Sequence, residues 1–173
     1  MVLCVLGLGS NKPYNNLSST ELIVRAAGEL QNTLTGICLS PLYKTAPLYI
    51  TDQAVFYNAA VSAYFDEEKP GISGRKSAGK LLGIIQEIEA CYGRDRSTER
   101  RWGERSLDID ILLFGDQVIS KTDLVIPHPR LKERAFALRP LLDLLPNARD
   151  PGTGIAYSDI LAGLGDQDIV KLS

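Results

Sequence analysis

Two aspartates two residues apart, Asp108 and Asp110, stand at the head of the apolar run Leu107-Asp-Ile-Asp-Ile-Leu-Leu-Phe114. In a β-strand, residues two apart share a face, so the spacing predicts both carboxylates side by side. Leu107, Ile109, Ile111 and Leu113 then go to the other face, and Leu112 and Phe114 follow the aspartates on theirs. A carboxylate pair at the mouth of a buried strand suits Mg²⁺, a hard cation that takes one or two carboxylates and completes its shell with phosphate oxygens. Alone, such a pair is more often a solvated strand edge. The segment just before it argues for chemistry: Arg94, Arg96, Arg100, Arg101 and Arg105 outnumber Asp95, Glu99 and Glu104 there. Planar guanidiniums match phosphate oxygens, so cations for a polyphosphate adjoin carboxylates for its metal. The stretch from Gly93 to Ser106 also has the charge and length of a lid that closes over substrate.

Two other stretches invite a phosphate reading. Gly7-Leu-Gly-Ser-Asn11 sits between a strand-like and a helix-like run, where backbone N–H groups can hold an anion. It lacks the third glycine of a dinucleotide fingerprint, and a structural turn is the favoured role. Gly74-Arg-Lys-Ser-Ala-Gly-Lys80 matches G-x-x-x-x-G-K, but position 81 is Leu where a Mg²⁺-ligating hydroxyl belongs. Its preceding strand also ends well upstream, near Phe65, whereas a phosphate loop leaves its strand directly. Lys80 is therefore expected to tolerate substitution.

The positioning elements follow from hydrophobic period. Val2–Leu8 reads as a buried strand with a turn at Gly7–Asn11. Leu17–Gln31 reads as a helix capped by Ser18 or Ser19. Gly36–Tyr43 and Phe56–Phe65 read as strands around an irregular Thr45–Ala54 segment. A second helix spans Ala78–Tyr92, with Leu81, Leu82, Ile85, Ile88 and Tyr92 on its apolar face and Gly93 past its end. After the aspartate strand come a short strand near Leu124–Ile126, a turn at Pro127-His-Pro-Arg130 and a helix over Arg134–Leu145. Strand, helix, strand, strand, helix, strand is the ferredoxin-like order, so the expected class is α+β, a ferredoxin-like α/β sandwich with additional C-terminal elements.

Composition narrows the function classes. With 173 residues and 45% hydrophobic content the chain is expected to form one domain, residues 1–173, around a real core. A net charge of −2 and a pI of about 5.5 argue against a general nucleic-acid binder, since the positive charge is local. Cys4, Cys38 and Cys91 have no C-x-x-C spacing and read as free thiols of a reducing compartment. No run reaches membrane-spanning length and no basic leader precedes residues 2–8, so a cytoplasmic chain without membrane contact is expected. A non-catalytic RNA-binding module would need aromatics on an open sheet face and a basic surface. Four Phe, one Trp and an acidic pI speak against it.

Seven blocks recur in a familiar order: Gly7-Leu-Gly-Ser-Asn11, Thr45-Ala-Pro-Leu48, Phe56-Tyr-Asn-Ala-Ala-Val61, Gln86-x-x-Glu89, Gly93-Arg-Asp-Arg96, Trp102-Gly-Glu-Arg-Ser-Leu-Asp-Ile-Asp110 and Pro127-His-Pro-Arg-Leu-Lys-Glu-Arg-Ala-Phe136. In this pattern the chain resembles the 6-hydroxymethyl-7,8-dihydropterin pyrophosphokinases of folate biosynthesis. The resemblance implies transfer of diphosphate from ATP to the pterin, with Asp108 and Asp110 binding two Mg²⁺ ions. It places Gln86, Glu89, Arg94, Arg96, Trp102, Arg105, Ile111, His128 and Arg134 at ATP and its closing loop, with Arg94 and Arg105 carrying the largest catalytic share. For His128, between two prolines, a nucleotide contact and a structural turn contact are equally open. On the pterin side, Phe56 and Asn58 share a strand face, and a carboxamide offers donor and acceptor in one plane to an aminopyrimidinone edge. The resemblance adds Phe136 as a stacking partner and Thr45, Ala46 and Leu48 as backbone contacts. The implied partners are ATP and 6-hydroxymethyl-7,8-dihydropterin, without nucleic acid or membrane, acting on a monomer. Tyr49, where the family commonly has Gly, and Glu104, where it has Pro, depart from the pattern and bear on loop closure.

Overall fold

The computed structural model describes residues 1–47, 50–66, 76–95, 103–165 and 167–172. The chain runs β1 (Val2–Ser10), α1 (Ser19–Glu29), β2 (Thr35–Leu39), β3 (Tyr43–Thr45), β4 (Phe56–Phe65), α2 (Lys76–Cys91), β5 (Asp108–Phe114), β6 (Ile119–Ser120), β7 (Val125–Ile126), α3 (Ala135–Leu144), α4 (Tyr157–Gly163) and β8 (Ile169–Lys171). One antiparallel sheet has the order β5-β1-β4-β3-β8, with β2 also on β4. This is the expected α+β arrangement, and β6 to β8 with α3 and α4 are the C-terminal additions. No helix among the described residues is long and apolar enough to cross a membrane.

Helix α1 starts for a local reason. Ser18 caps α1 through a capping box, its Oγ accepting from Glu21 N while Glu21 Oε2 accepts from Ser18 N at 2.8 Å. The helical-period residues Leu22, Ile23, Ala26, Ala27 and Leu30 are all buried. Helices α1 and α2 cover one face of the sheet, packing Ile23, Leu81 and Ile85 on Cys4, Leu6, Leu8, Ile109 and Ile111. The other face holds Val5, Ala60, Leu112 and Leu113 against Leu138, Leu141 and Tyr157 of α3 and α4. Every second residue of β1 therefore serves a different core, as the strand period requires.

Three expectations change. The alternation along β5 breaks, because Leu6 pairs with Ile111 while Val5 pairs with Leu113, leaving Leu112 as the extra residue of a β-bulge. Beyond it the faces swap: Leu113 joins Leu112 under α3, and Phe114 turns to the α1–α2 core, where its ring centroid lies 5.9 Å from that of Phe65. The single strand expected at Gly36–Tyr43 is two, β2 and β3, interrupted at Ser40 and Pro41. Ser40 bridges the gap, its N–H donating to Ala60 O at 2.9 Å and its Oγ accepting from Ala60 N at 2.8 Å. Gly7 and Gly9 do not form a turn but lie inside β1. Lys80, by contrast, sits exposed within α2 as expected, not in a phosphate loop.

Candidate active site

On the α3 side the sheet is only partly covered, and a cleft opens between β1, β4, β5 and the start of α3. Its empty space is about 830 Å³ with the open mouth included, and it is lined by Gly7, Gly9, Thr45, Ala46, Gln53, Phe56, Asn58, Arg105, Asp108, Asp110, Leu112, His128, Arg134 and Phe136. The glycines make the floor. A Cβ on Gly7 would come within 3.3 Å of the Leu112 side chain, and one on Gly9 within 3.2 Å of Asn58 Oδ1.

At one end the aspartates lie on the same face of β5, as their spacing predicted. Asp108 is gripped from two sides: Arg94 Nη1 bonds Oδ1, and Arg105 Nη1 donates to Oδ2 at 2.7 Å. Burial pushes its carboxyl up, but the two guanidinium charges and their hydrogen bonds outweigh this and hold it below the usual range. Asp110 behaves oppositely. Desolvation in the cleft wall and the neighbouring Asp108 charge raise it to about 7, against the pull of Arg134, although its side chain remains 38% exposed. Arg134 Nη1 stands 3.8 Å from Asp110 Oδ2, and its Nε is buried without a hydrogen-bond partner among the described residues.

His128 faces the same carboxylate. Its N–H donates to Leu112 O at 3.0 Å, using the carbonyl of the bulged residue. Nδ1 accepts from Arg130 N at 3.2 Å, leaving Nε2 as the protonated nitrogen of the neutral ring, 3.6 Å from Asp110 Oδ2. Burial and the Arg134 and Arg130 charges lower its pKa to about 4. The turn contact is present, with Nδ1 fixing the turn, while Nε2 faces the cleft.

At the other end, Asn58 Nδ2 donates to Thr45 Oγ1 at 2.9 Å across the β3–β4 pair, so the carboxamide is held in a fixed plane. Phe56 lies two residues along the same strand face. Phe136 completes the wall from α3, with the Arg134 guanidinium 5.5 Å from its ring centroid. Such a contact adds to the orientation of both side chains.

The structure thus brings Thr45, Ala46, Phe56, Asn58, Arg105, Asp108, Asp110, His128, Arg134 and Phe136 together in one cleft. Arg94 joins through Asp108. Glu89 does not line the cleft; it is 1% exposed and supports it from α2, accepting Ile109 N at 2.8 Å and pairing with Arg94. Gln86 is exposed on α2, and the Ile111 side chain is buried in the α1–α2 core. Leu48, Arg96 and Trp102 lie outside the described residues, as do Tyr49 and most of the arginine segment.

Asn11 is a residue whose part was not foreseen. Its Nδ2 donates to Ala54 O at 3.1 Å and Gln53 Oε1 at 3.3 Å, and its Oδ1 accepts from Arg105 N at 2.8 Å. Arg105 O in turn accepts from the N–H groups of Asn11 and Lys12. One side chain so ties the β3–β4 connection to the arginine that grips Asp108. The block Gly7–Asn11 was the only sequence signal for it. Among the described residues no three His, Cys, Asp or Glu side chains come together as a metal cage. The Asp108–Asp110 pair is of the kind that leaves the rest of a Mg²⁺ shell to phosphate and water.

Comparison with known proteins agrees with this geometry. The family model for 7,8-dihydro-6-hydroxymethylpterin-pyrophosphokinase (HPPK) matches residues 5–146. The chain is 33% identical over 175 residues to the 2-amino-4-hydroxy-6-hydroxymethyldihydropteridine pyrophosphokinase of Haemophilus influenzae, covering 100% of this chain and 99% of that protein. It is 39% identical over 154 residues to the mitochondrial folate synthesis bifunctional protein of Arabidopsis thaliana, where the match takes in 86% of this chain but 24% of the longer protein. In fold it is similar to a crystal structure of Plasmodium falciparum HPPK-DHPS, with a TM-score of 0.63 at 19% identity, covering 94% of this chain and 43% of that one. The chain belongs to the 7,8-dihydro-6-hydroxymethylpterin-pyrophosphokinase family.

Proposed function

We propose that the chain, as a single pyrophosphokinase domain acting as a cytoplasmic monomer, transfers diphosphate from Mg·ATP to the hydroxymethyl group of 6-hydroxymethyl-7,8-dihydropterin and releases AMP. The observation that carries this reading is the union of two unlike halves in one cleft: Arg105, Asp108 and Asp110 with Arg134 at one end, Asn58 with Phe56 and Phe136 at the other. The names of the relatives supply the reaction, and the cleft has the chemistry for it.

The pterin hydroxyl attacks the β-phosphorus of ATP, the bond from that phosphorus to the α-phosphate oxygen breaks, and AMP departs. Reactions of this kind need positioning and charge neutralisation more than covalent help. Asp108 and Asp110 would hold a pair of Mg²⁺ ions, since their carboxylates stand side by side on one face of β5, and a bound cation would offset the desolvation and the Asp108 charge that raise the pKa of Asp110. Bound Mg²⁺ would offset polyphosphate repulsion and polarise the attacking hydroxyl. Arg94 and Arg105, preorganised on Asp108, neutralise charge on the transferred and departing groups. The orphaned Arg134 Nε has a phosphate oxygen as its natural acceptor, and His128 Nε2 offers one more donor. Arg96 and Trp102 complete the nucleotide side, and Glu89 supports it from behind through Arg94 and Ile109.

Asn58 meets the pterin edge, backbone groups of Thr45, Ala46 and Leu48 extend that recognition, and the phenylalanines take the ring faces. Incubation with Mg·ATP and the dihydropterin alcohol, followed by chromatography of the nucleotides, tests the reading. AMP is expected, and ADP with a pterin monophosphate overturns it.

A further inference from the structure

The tail of the chain, beyond the residues 5–146 matched by the family model, touches both walls of the cleft. Gln167 Oε1 accepts the backbone N–H of Ala135 at 2.9 Å, and its Nε2 donates to the Glu133 carbonyl at 3.0 Å. Those two backbone groups flank Arg134. Ala135 opens α3, and the first N–H groups of a helix have no partner inside it. Arg134, at the cap position, makes no side-chain cap bond. Gln167 therefore does from a distance what a capping Ser or Asp does locally. Because its amide donates and accepts at once, it holds both sides of the turn.

The same tail is anchored to the opposite wall. Asp168, with φ +48°, turns the chain into β8. There Ile169 pairs with Thr45, Val170 with Lys44 and Lys171 with Tyr43, and Leu172 N donates to Leu42 O at 2.8 Å. Asp143 of α3 locks the end, accepting Tyr43 Oη at 2.6 Å and pairing with Lys171 Nζ at 3.3 Å. The strand that delivers Thr45 and Ala46 to the cleft is thus joined, through five residues of tail, to the turn that delivers Arg134 and Phe136.

We propose that Gln167 is a positioning residue for the substrate cleft, setting the Arg134–Phe136 wall against the Thr45–Asn58 wall. This rests on the functional reading above, in which those walls hold ATP and the pterin. Freed of Gln167, the first turn of α3 frays, and Arg134 and Phe136 lose their shared orientation before either substrate binds. The loss falls on ground-state binding, so it reads as KM with kcat retained.

The test compares the wild-type full chain with Gln167→Ala and Gln167→Glu, by steady-state kinetics with Mg·ATP and 6-hydroxymethyl-7,8-dihydropterin and by amide hydrogen exchange. Loss of a cap converts to about fivefold in an equilibrium. Gln167→Ala should raise both KM values by about that factor, with kcat within about twofold, and speed exchange at Ala135. Gln167→Glu keeps an acceptor for Ala135 N–H but loses the donor to the Glu133 carbonyl, so it should recover only part of the exchange protection at Ala135. Wild-type KM values and unchanged exchange in Gln167→Ala overturn the proposal, as does a fall in kcat alone. If the wild-type chain forms no AMP, the functional reading falls instead, and exchange at Ala135 then decides whether Gln167 holds the turn.

Discussion

Glu89 reaches from α2 to accept the backbone N–H of Ile109 at 2.8 Å, pinning the residue that separates the two aspartates. The same Oε1 pairs with Arg94, so one buried carboxylate sets both the strand mouth and the arginine beside it. Removing one partner of a buried ion pair strands the other and costs about 3–5 kcal/mol. Glu89→Ala should lose stability on that scale in denaturant titrations. Glu89→Gln keeps an acceptor for Ile109 and should lose less, while kcat falls through a mispositioned Arg94. A variant that loses ATP affinity with kcat intact would show Glu89 acting directly on the nucleotide.

The aspartates should separate when stability and turnover are measured together. Asp108→Asn surrenders two charge-assisted arginine bonds and should unfold at lower temperature. Asp110→Asn removes a charge that burial and Asp108 already disfavour, so its metal-free melting temperature at neutral pH should hold or rise. Both should lose turnover by about a hundredfold or more, the scale of removing one preorganised transition-state contact. Near-wild-type turnover in both would contradict the metal assignment.

Asn58→Ala removes the carboxamide that Thr45 orients, and polar groups left unpaired in a closed site cost about 1–3 kcal/mol. Pterin affinity should drop accordingly, Phe136→Ala should weaken it through lost stacking, and ATP affinity measured alone should move little. Isothermal titration of each ligand separates these outcomes, and an equal loss for ATP would merge the two halves of the cleft.

Asp150 gives a pH signature away from the cleft. Buried at 3% exposure, it accepts from Gly152 N, Thr153 N and Thr153 Oγ1, and pairs with Lys132 Nζ at 3.0 Å. Burial raises its pKa, but the bonds from Lys132 and Thr153 win and hold it below 3.8. A depressed carboxyl contributes stability that is complete above its unfolded pKa and lost as pH falls through the folded one. Asp150→Asn should therefore melt lower at pH 7, by about 2–3 kcal/mol for lost charge-assisted bonds, with the gap from wild type closing only in strong acid. A gap that persists unchanged there would mean the charge is not the source.

Short-range order was readable before any coordinates. The i, i+2 aspartates, the Ser18 cap and the apolar face of α2 depend on periodicity within a few residues, and they form as their spacing dictates. Long-range register was not. The bulge at Leu112 exists because β5 must match β1 residue by residue, which alternation within β5 cannot reveal. Pro41 was visible, but the split it makes depends on Ser40 finding Ala60. Asn11, Glu89 and Gln167 act through backbone groups 20 to 94 residues away, so nothing in their own neighbourhoods announces their roles.

The central claim is that one cleft moves an intact diphosphate, and the fate of the middle phosphorus tests it most directly. In single turnovers with the dihydropterin alcohol, ATP labelled at the β-phosphorus should give a labelled pterin, and ATP labelled at the α-phosphorus should give labelled AMP. A β-label found in ADP, with only the γ-phosphoryl on the pterin, would contradict the account.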